Sequence, residues 1–362
     1  MASIKKKYNK WQVRISWVDN LGKRHFKSKN GFPTKKMAQV WAANHEAKLS
    51  NGVDISKEIS LSSYFSQWVA TYKEPQVSDV SMVRYRTTER YLLNFFGQRN
   101  IKTITRTDYQ EFINWYGSNH APSSVQKTNG FIRACVKSAI LDDYLMKDFT
   151  EGVTLVSNQD KVVKVQYLNL DEIGRLIKSV NGGLNYHFTS RYMILTAIYT
   201  GMRLSEIQAL TWQDVDLKNG TIDINKSWNA VKHEFKRTKN ESSNRRIKIN
   251  HILIHLMSDL KQHSSSTLVF LDQYGTIPTS GAINRTLRKI MLEAGIQKRN
   301  FHFHSLRHSH VALLLANGID IYSISKRLGH SNIKTTANTY AYLVDEYKDK
   351  TNEKIVAILD QF

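Results

Sequence analysis

Cysteine is almost missing from this chain: Cys135 is the single one in 362 residues. That excludes an internal disulfide and a cysteine-based metal site, and it fits a reducing compartment. Within the apolar-flanked FIRACVKSAI, Cys135 reads as plain core. No run of about 18 apolar residues occurs, so nothing in the sequence is expected to span a membrane. The basic start MASIKKKYNKW has no apolar stretch behind it, which argues against a signal peptide and for the cytoplasm. Internal repeats, low-complexity tracts and a phosphate-cradling GxxxxGK[ST] loop are absent too. Acid is scarce: 31 Asp and Glu face 52 Lys and Arg, a net charge of +21.

A surplus of that size calls for a polyanionic partner, most simply nucleic acid. No basic amphipathic helix with a Trp/Phe/Leu face favours a membrane surface instead. The remaining composition, 41% hydrophobic and 10% aromatic, is globular, and the length suits two or three domains.

The charge is concentrated at the front, where residues 1–50 hold twelve Lys and Arg against two acids, a local net of +10. WQVRISWV alternates, and Asp19-Asn20-Leu21-Gly22 turns it back into a second strand. Lys35 to Leu49 follows with Met37, Val40 and Trp41 at helical spacing. A small basic sheet with one helix reads as a nucleic-acid-binding module, with Arg14, Lys23, Arg24 and Lys27 as candidate contacts. Asn51 to Lys57 reads as a linker. From 58 to 150 the apolar stripes are helical: Leu61 to Val69, Tyr85 to Phe96, Asp108 to Tyr116 and Val125 to Leu145. Arg84, Arg86 and Arg133 lie on polar faces among them, as DNA contacts or as ordinary solvated charge. Glu151 to Gln166 is polar and non-periodic, a second linker. Asn169-Leu170-Asp171-Glu172 then has capping-box spacing and opens a helix through Val180. Another helix spans Arg191 to Tyr199, strands lie around Ile222–Ile224 and Arg246–Ile249, and helices resume from Asn284.

Four segments of the last third carry chemistry. In Thr200-Gly201-Met202-Arg203-Leu204-Ser205-Glu206, a break precedes a helix. Arg203 stands at its N-terminus, where orphan amides and the dipole favour an anion. Glu206 is placed to orient its guanidinium fork. In Thr238 to Arg245, a polar loop between strands, a lysine with a lowered pKa can protonate a leaving oxygen. Spacing alone does not choose among Lys236, Arg237 and Lys239. The third segment, Phe301 to His310, holds four histidines. A metal reading lacks both cysteine and a nearby acid; the alternative sets His304 one turn from Arg307, a proton-transfer group beside a phosphate clamp. The fourth is Leu328-Gly329-His330, followed ten residues later by Tyr340. A tyrosine among seventeen is ordinarily packing, but a phenol attacks phosphorus when cations stabilise its oxyanion.

In order and spacing these segments resemble the tyrosine recombinase (phage integrase) family, strongly over residues 165 to about 345. The resemblance implies that Arg203 and Arg307 bind the scissile phosphate and His330 hydrogen-bonds it. His304 would assist proton transfer, Lys239 would protonate the leaving 5′ oxygen, and Tyr340 would be the nucleophile. Glu206 would buttress Arg203. The front of the chain also resembles the integrases of phages and integrative elements. The implied fold is multidomain, mainly α with small β-sheets. Residues 1–55 would be an arm-type DNA-binding domain with a three-stranded sheet and a helix, 58–150 a helical core-binding domain, and 165–362 a mixed α/β catalytic domain with a C-terminal tail.

The implied activity is site-specific cleavage and rejoining of DNA through a 3′-phosphotyrosyl link, for integration and excision of a mobile element. It needs no metal and no cofactor. The implied partners are double-stranded DNA, with core and arm sequences, further copies of the chain in a tetramer, and an accessory directionality factor. The tail carries Ile355, Val356, Ile358, Leu359 and Phe362 at roughly helical spacing, to pack on a neighbouring copy or on its own domain. A type IB topoisomerase shares the chemistry, and a non-catalytic DNA-binding protein shares the charge.

Overall fold

The computed structural model describes residues 2–18, 22, 24–50, 58–238, 241–334, 336–337, 339–340, 356 and 359–360. Lys23, the turn at 19–21, Lys239 and most of the apolar tail lie outside them; of the tail stripe, Val356 and Leu359 are described, and both are exposed. The chain divides into two compact units, Met1–Val163 and Lys164–Phe362. The division falls inside the polar stretch 151–166.

The first unit opens with a meander of β1 (Ala2–Lys7), β2 (Lys10–Val18) and β3 (Arg24–Phe32), covered by α1 (Lys35–Ser50). Tyr8 and Asn9 join β1 to β2 with φ of 47° and 58°, the paired left-handed conformation that matches the twist of a two-residue hairpin. The period of two sorts the side chains. Val13 and Ile15 are buried with Phe32 and with Ala38 and Ala42 of α1, while Arg14 between them is exposed. Arg14 stands opposite Ser28, and Lys27 stands opposite Ile15. The two candidate contacts therefore occupy opposite faces. Arg14 lies on the open face beside Ser3, Lys5, Gln12 and Ser16, its guanidinium 4.3 Å over the Phe26 ring. Lys27, on the helix side, is half-buried and pairs with Glu58 at 2.8 Å.

Four helices follow: α2 (Leu61–Tyr72), α3 (Asp79–Phe96), α4 (Arg106–Gly117) and α5 (Pro122–Leu141). Three of them begin on a signal of their own: Ser60 caps α2, a reciprocal Thr105–Asp108 box caps α4, and Pro122 opens α5. Their stripes bury Phe65, Leu92, Tyr109, Phe112, Ile132 and Cys135 in one core. Burial raises the Cys135 thiol well above its usual pKa, so it is an inert core residue. Arg84, Arg86 and Arg133 are exposed.

The second unit contains α6 (Leu170–Asn181), α7 (Ser190–Thr200), the short α8 (Leu204–Gln208), β4 (Val215–Asp216), β5 (Thr221–Ile224), β6 (Lys226–Asn229), β7 (Glu234–Arg237), β8 (Arg245–Lys248), α9 (His251–Gln262), α10 (Ser280–Glu293), α11 (Phe303–Ala316) and α12 (Ile321–Leu328). Both halves of the Asn169–Glu172 capping box form. β4, β5 and β8 make one antiparallel sheet, and β6 and β7 make a separate hairpin. β7 is the strand expected before the 238–245 loop, but its pairing with β6 has no sequence signal, because KSWN and EFKR carry too few apolar residues to alternate visibly. Helix α7 is buried from Tyr192 to Ile198, and α10 and α11 pack on it. The fold is mainly α with small sheets, as the sequence implied. Among the described residues no helix is long and apolar enough to cross a membrane.

Candidate active site

The site of the second unit is built where α7 ends, where α11 begins, and where α12 ends. Gly201 terminates α7 with φ +68°. A Cβ there would stand 2.6 Å from His310 Cδ2 and 2.9 Å from Leu328 Cδ2. Only glycine accepts both the dihedral and the approach. The chain then turns so that Arg203 is the N-cap of α8.

Glu206 is the hub. It is 3% exposed, and it accepts from the Arg203 backbone N–H at 2.9 Å and from Arg203 Nη1 at 2.7 Å. Arg245, itself almost buried, donates to both Glu206 oxygens, at 3.3 and 2.9 Å. Burial by itself would raise the Glu206 carboxyl; the Arg245 and Arg203 guanidiniums outweigh it and hold it below its ordinary value. Arg245 also donates to Arg327 O at 2.7 Å and Ser243 O at 2.9 Å, tying the loop before β8 to the end of α12. In the sequence Arg245 stands out only as part of the Ser242-Ser243-x-Arg245-x-Ile247-x-Ile249 pattern that follows the candidate lysine, with no role of its own.

Arg307 projects from α11 and is 2% exposed. It donates through Nη1 to Gly201 O at 2.7 Å, and through Nη2 to Leu328 O at 2.8 Å and His330 Nε2 at 2.9 Å. Burial and the nearby Arg203 lower its pKa, but a guanidinium stays charged. Its Nε–H and second Nη1–H keep no acceptor among the described residues. Because an arginine only donates, His330 Nε2 accepts. The His330 proton then sits on Nδ1, which donates to Thr336 Oγ1 at 2.6 Å.

Gly329 carries the turn from α12 to His330 with φ +71°, and a Cβ there would stand 2.9 Å from Ser242 O and 3.1 Å from Ser243 Cα. Gly329→Ala is therefore expected to cost about 1–3 kcal/mol of stability and to push the 242–245 loop off the site. Denaturant unfolding checks the first effect, and an unchanged midpoint would refute it.

The four histidines of the third segment separate. His310 is buried and structural: it donates from Nδ1 to Ile198 O at 2.8 Å and accepts Arg327 Nε at 3.2 Å. His302 is the N-cap of α11. His304 is on the same face as Arg307 and meets the His308 ring edge-on at 5.1 Å. The ring that reaches Tyr340 is His308, its Nδ1 2.7 Å from the phenol oxygen. Tyr340 is 1% exposed and packs with Val311, Ala312, Ile324 and Leu328 of α11 and α12. Among the described residues, no group of three or more His, Cys, Asp or Glu is placed to hold a metal ion.

An open groove of about 480 Å³ lies alongside, lined by Arg245, Arg246, Lys248, Lys326, Arg327 and His330 among others. The site thus holds three guanidiniums around one buried carboxylate. It is prepared for an anion before any anion arrives. Lys236 and Arg237 are exposed on β7.

Comparison with known proteins accords with this geometry. Residues 166–346 match the phage integrase family. The chain belongs to the phage integrase family of tyrosine recombinases. Within this integrase, residues 60–116 match the N-terminal SAM-like domain of phage integrases and residues 3–49 an arm DNA-binding domain. Similar curated proteins include a XerC-like tyrosine recombinase of Caldanaerobacter subterraneus subsp. tengcongensis, 23% identical over 354 residues and covering 88% of each chain. The ICEBs1 integrase of Bacillus subtilis is 26% identical over 302 residues, covering 77% of this chain and 79% of that one. Among solved structures, the Tn1549 transposon integrase in complex with circular intermediate DNA aligns with a TM-score of 0.69 at 16% identity, over 82% of this chain and 100% of that one. A lambda integrase tetramer bound to a Holliday junction aligns with a TM-score of 0.61 at 14% identity, over 91% and 95%. The fold is shared while most side chains differ.

Three site histidines are held neutral. Burial first, then neighbouring arginines and imidazoles, pushes His308 and His330 down to about 4 and His310 to about 3. Their unfolded values lie near 6.5, so between those limits the unfolded chain binds more protons than the folded one. Folding stability is expected to fall as pH drops from about 6.5 toward 4. Below that, protonation of Glu206 removes a further contribution, because its folded pKa is depressed. A thermal midpoint that holds steady from pH 7 to pH 4 would contradict this.

Proposed function

We propose that this integrase cuts one DNA strand at a time at an attachment site, holds it as a 3′-phosphotyrosyl link on Tyr340, and rejoins it to a partner strand. The observation that carries the reading is the Arg307 side chain. It is buried against the same α11–α12 core as Tyr340, and it keeps two N–H donors with no acceptor among the described residues. A buried cation with open donors wants an anionic oxygen. Arg203 would complete the clamp from the N-cap of α8, and Glu206 would fix the Arg203 fork.

A phosphate oxygen entering between Arg307 Nη2 and His330 Nε2 would raise the His330 pKa, letting Nε2 take up a proton and donate to that oxygen. Lys239 would protonate the leaving 5′ oxygen, and His304 would support proton transfer from beside Arg307. Charge gathering on the non-bridging oxygens of the pentacoordinate transition state would be stabilised by the clamp. Because the phosphotyrosyl link conserves the bond energy, the step needs neither a nucleotide cofactor nor a metal.

The reading assigns residues 1–55 to arm-site DNA, 58–150 to core-site DNA, and 165–362 to catalysis and assembly. Arg14 and Arg24 on the small sheet, with Lys23, and Arg84, Arg86 and Arg133 on the helices would contact phosphates; Lys27, paired with Glu58 on the opposite face, falls outside that set. Four copies would assemble on two duplexes in the bacterial cytoplasm, with an accessory protein setting direction, and the function would be integration and excision of a mobile element. A two-site recombination assay run beside a supercoil-relaxation assay tests this. Recombinant product is expected; relaxation of one-site plasmid without it would move the chain to topoisomerase chemistry.

A further inference from the structure

The sequence assigned Tyr340 no proton acceptor other than His304, yet the phenol meets a different imidazole. His308 lies one residue beyond Arg307 on α11, and its Nδ1 is 2.7 Å from Tyr340 Oη. His45 on α1 turns Nδ1 back to the carbonyl four residues earlier at 2.9 Å, and His120 and His263, just beyond the ends of α4 and α9, do the same at 2.6 and 2.9 Å. His308 instead reaches across to the segment after α12.

Resting on the reading of Tyr340 as nucleophile, we infer that His308 is a catalytic residue, the general base that takes the phenolic proton as Tyr340 attacks. Its Nδ1 is then the acceptor and its resting proton sits on Nε2. Of two neutral partners the phenol is much the stronger acid, so it donates. The ring stays neutral because it is half-buried and faces cations and imidazoles: His304 at 5.1 Å and Arg307 on its own helix, His302 at the helix cap, and His330 from the turn after α12. A base of that kind is weak in isolation. It acts here because the charge it releases forms next to Arg307 and moves onto phosphorus in the same step.

The step balances. The Tyr340 Oη–P bond forms and the P–O5′ bond breaks; the phenolic proton moves to His308 Nδ1, and the 5′ oxygen takes a proton from the acid assigned to Lys239. In rejoining, the 5′-hydroxyl gives its proton back to the group that acted as acid, the P–O5′ bond forms as the Oη–P bond breaks, and His308 returns its proton to the departing phenolate. His304 keeps a supporting place, edge-on to His308 and beside Arg307.

The test uses the full chain and a nicked duplex that the unaltered chain captures covalently. Rates of adduct formation are read on denaturing gels from pH 6 to pH 9, with gel shifts for DNA affinity. His308→Ala is expected to slow attachment about 100-fold or more at pH 7 with affinity unchanged, the deficit narrowing as hydroxide takes over at high pH. His308→Asn places an amide oxygen where Nδ1 stood, so it keeps a hydrogen bond and the packing but supplies no base; it is expected to be as slow as His308→Ala. An Asn variant within a few-fold of the unaltered rate would show that His308 only positions the phenol, and an unchanged Ala variant would remove it from the reaction; either overturns the inference. An adduct on Tyr340→Phe would instead remove the nucleophile, and the inference with it.

Discussion

Tyr340→Phe should bind attachment-site DNA as the unaltered chain does and leave no covalent adduct with a nicked duplex. The change deletes one oxygen. The ring volume stays, and the ring is packed among Val311, Ala312, Ile324 and Leu328, so the core is expected to hold. What is lost from the fold is one hydrogen bond to His308, on the order of 1 kcal/mol. On the proposed reading, what is lost from the reaction is the atom that bonds to phosphorus. The effect on attachment is accordingly all or none. Adduct on a denaturing gel, with an unaltered gel shift, would show that another residue attacks.

Arg307→Ala is expected to lower the cleavage rate by at least the factor of about 10²–10³ that one transition-state donor contributes. Here the loss should be larger, because the same side chain also holds the site together. Its Nη1 and Nη2 bind Gly201 O and Leu328 O, so removing it leaves two buried carbonyls without a partner and frees His330 Nε2. Unfolding must be measured beside the rate. Arg307→Lys separates the two roles: an ammonium keeps the charge but cannot span two carbonyls and an imidazole from one planar fork. The lysine variant, able to satisfy one carbonyl, should recover only part of the stability and leave cleavage strongly impaired. Arg203→Ala, at a side chain 34% exposed, should show the rate loss with little loss of stability. Cleavage at the unaltered rate in either alanine variant would dismiss that arginine from the clamp.

Much of this was legible in the sequence because the elements announce themselves locally. Helices α2 to α6 follow apolar stripes and caps, and the Asn169–Glu172 box forms as its spacing implied. The division near residue 163 follows a stretch too polar to bury. The site was legible for a different reason: Arg203, Arg307, His330 and Tyr340 belong to one motif order, and three of them meet around α11 and the end of α12. Pairings without a local signature were not legible. The β6–β7 hairpin has no alternation to read. Whether Arg14 and Lys27 share a face depends on β2–β3 register, and they do not.

The sequence by itself determined the helical stripes, the basic front, and the residue types that make phosphate chemistry possible. It did so because periodicity, capping and charge act over a few neighbouring residues. Only the tertiary structure decided which groups touch. Arg245 meets Glu206 across 39 positions, and His308 meets Tyr340 across 32. No rule of local spacing reaches so far. Gly201 and Gly329 had to adopt left-handed turns, and α11 and α12 had to close over one core, before an arginine found its carboxylate and a phenol found its imidazole.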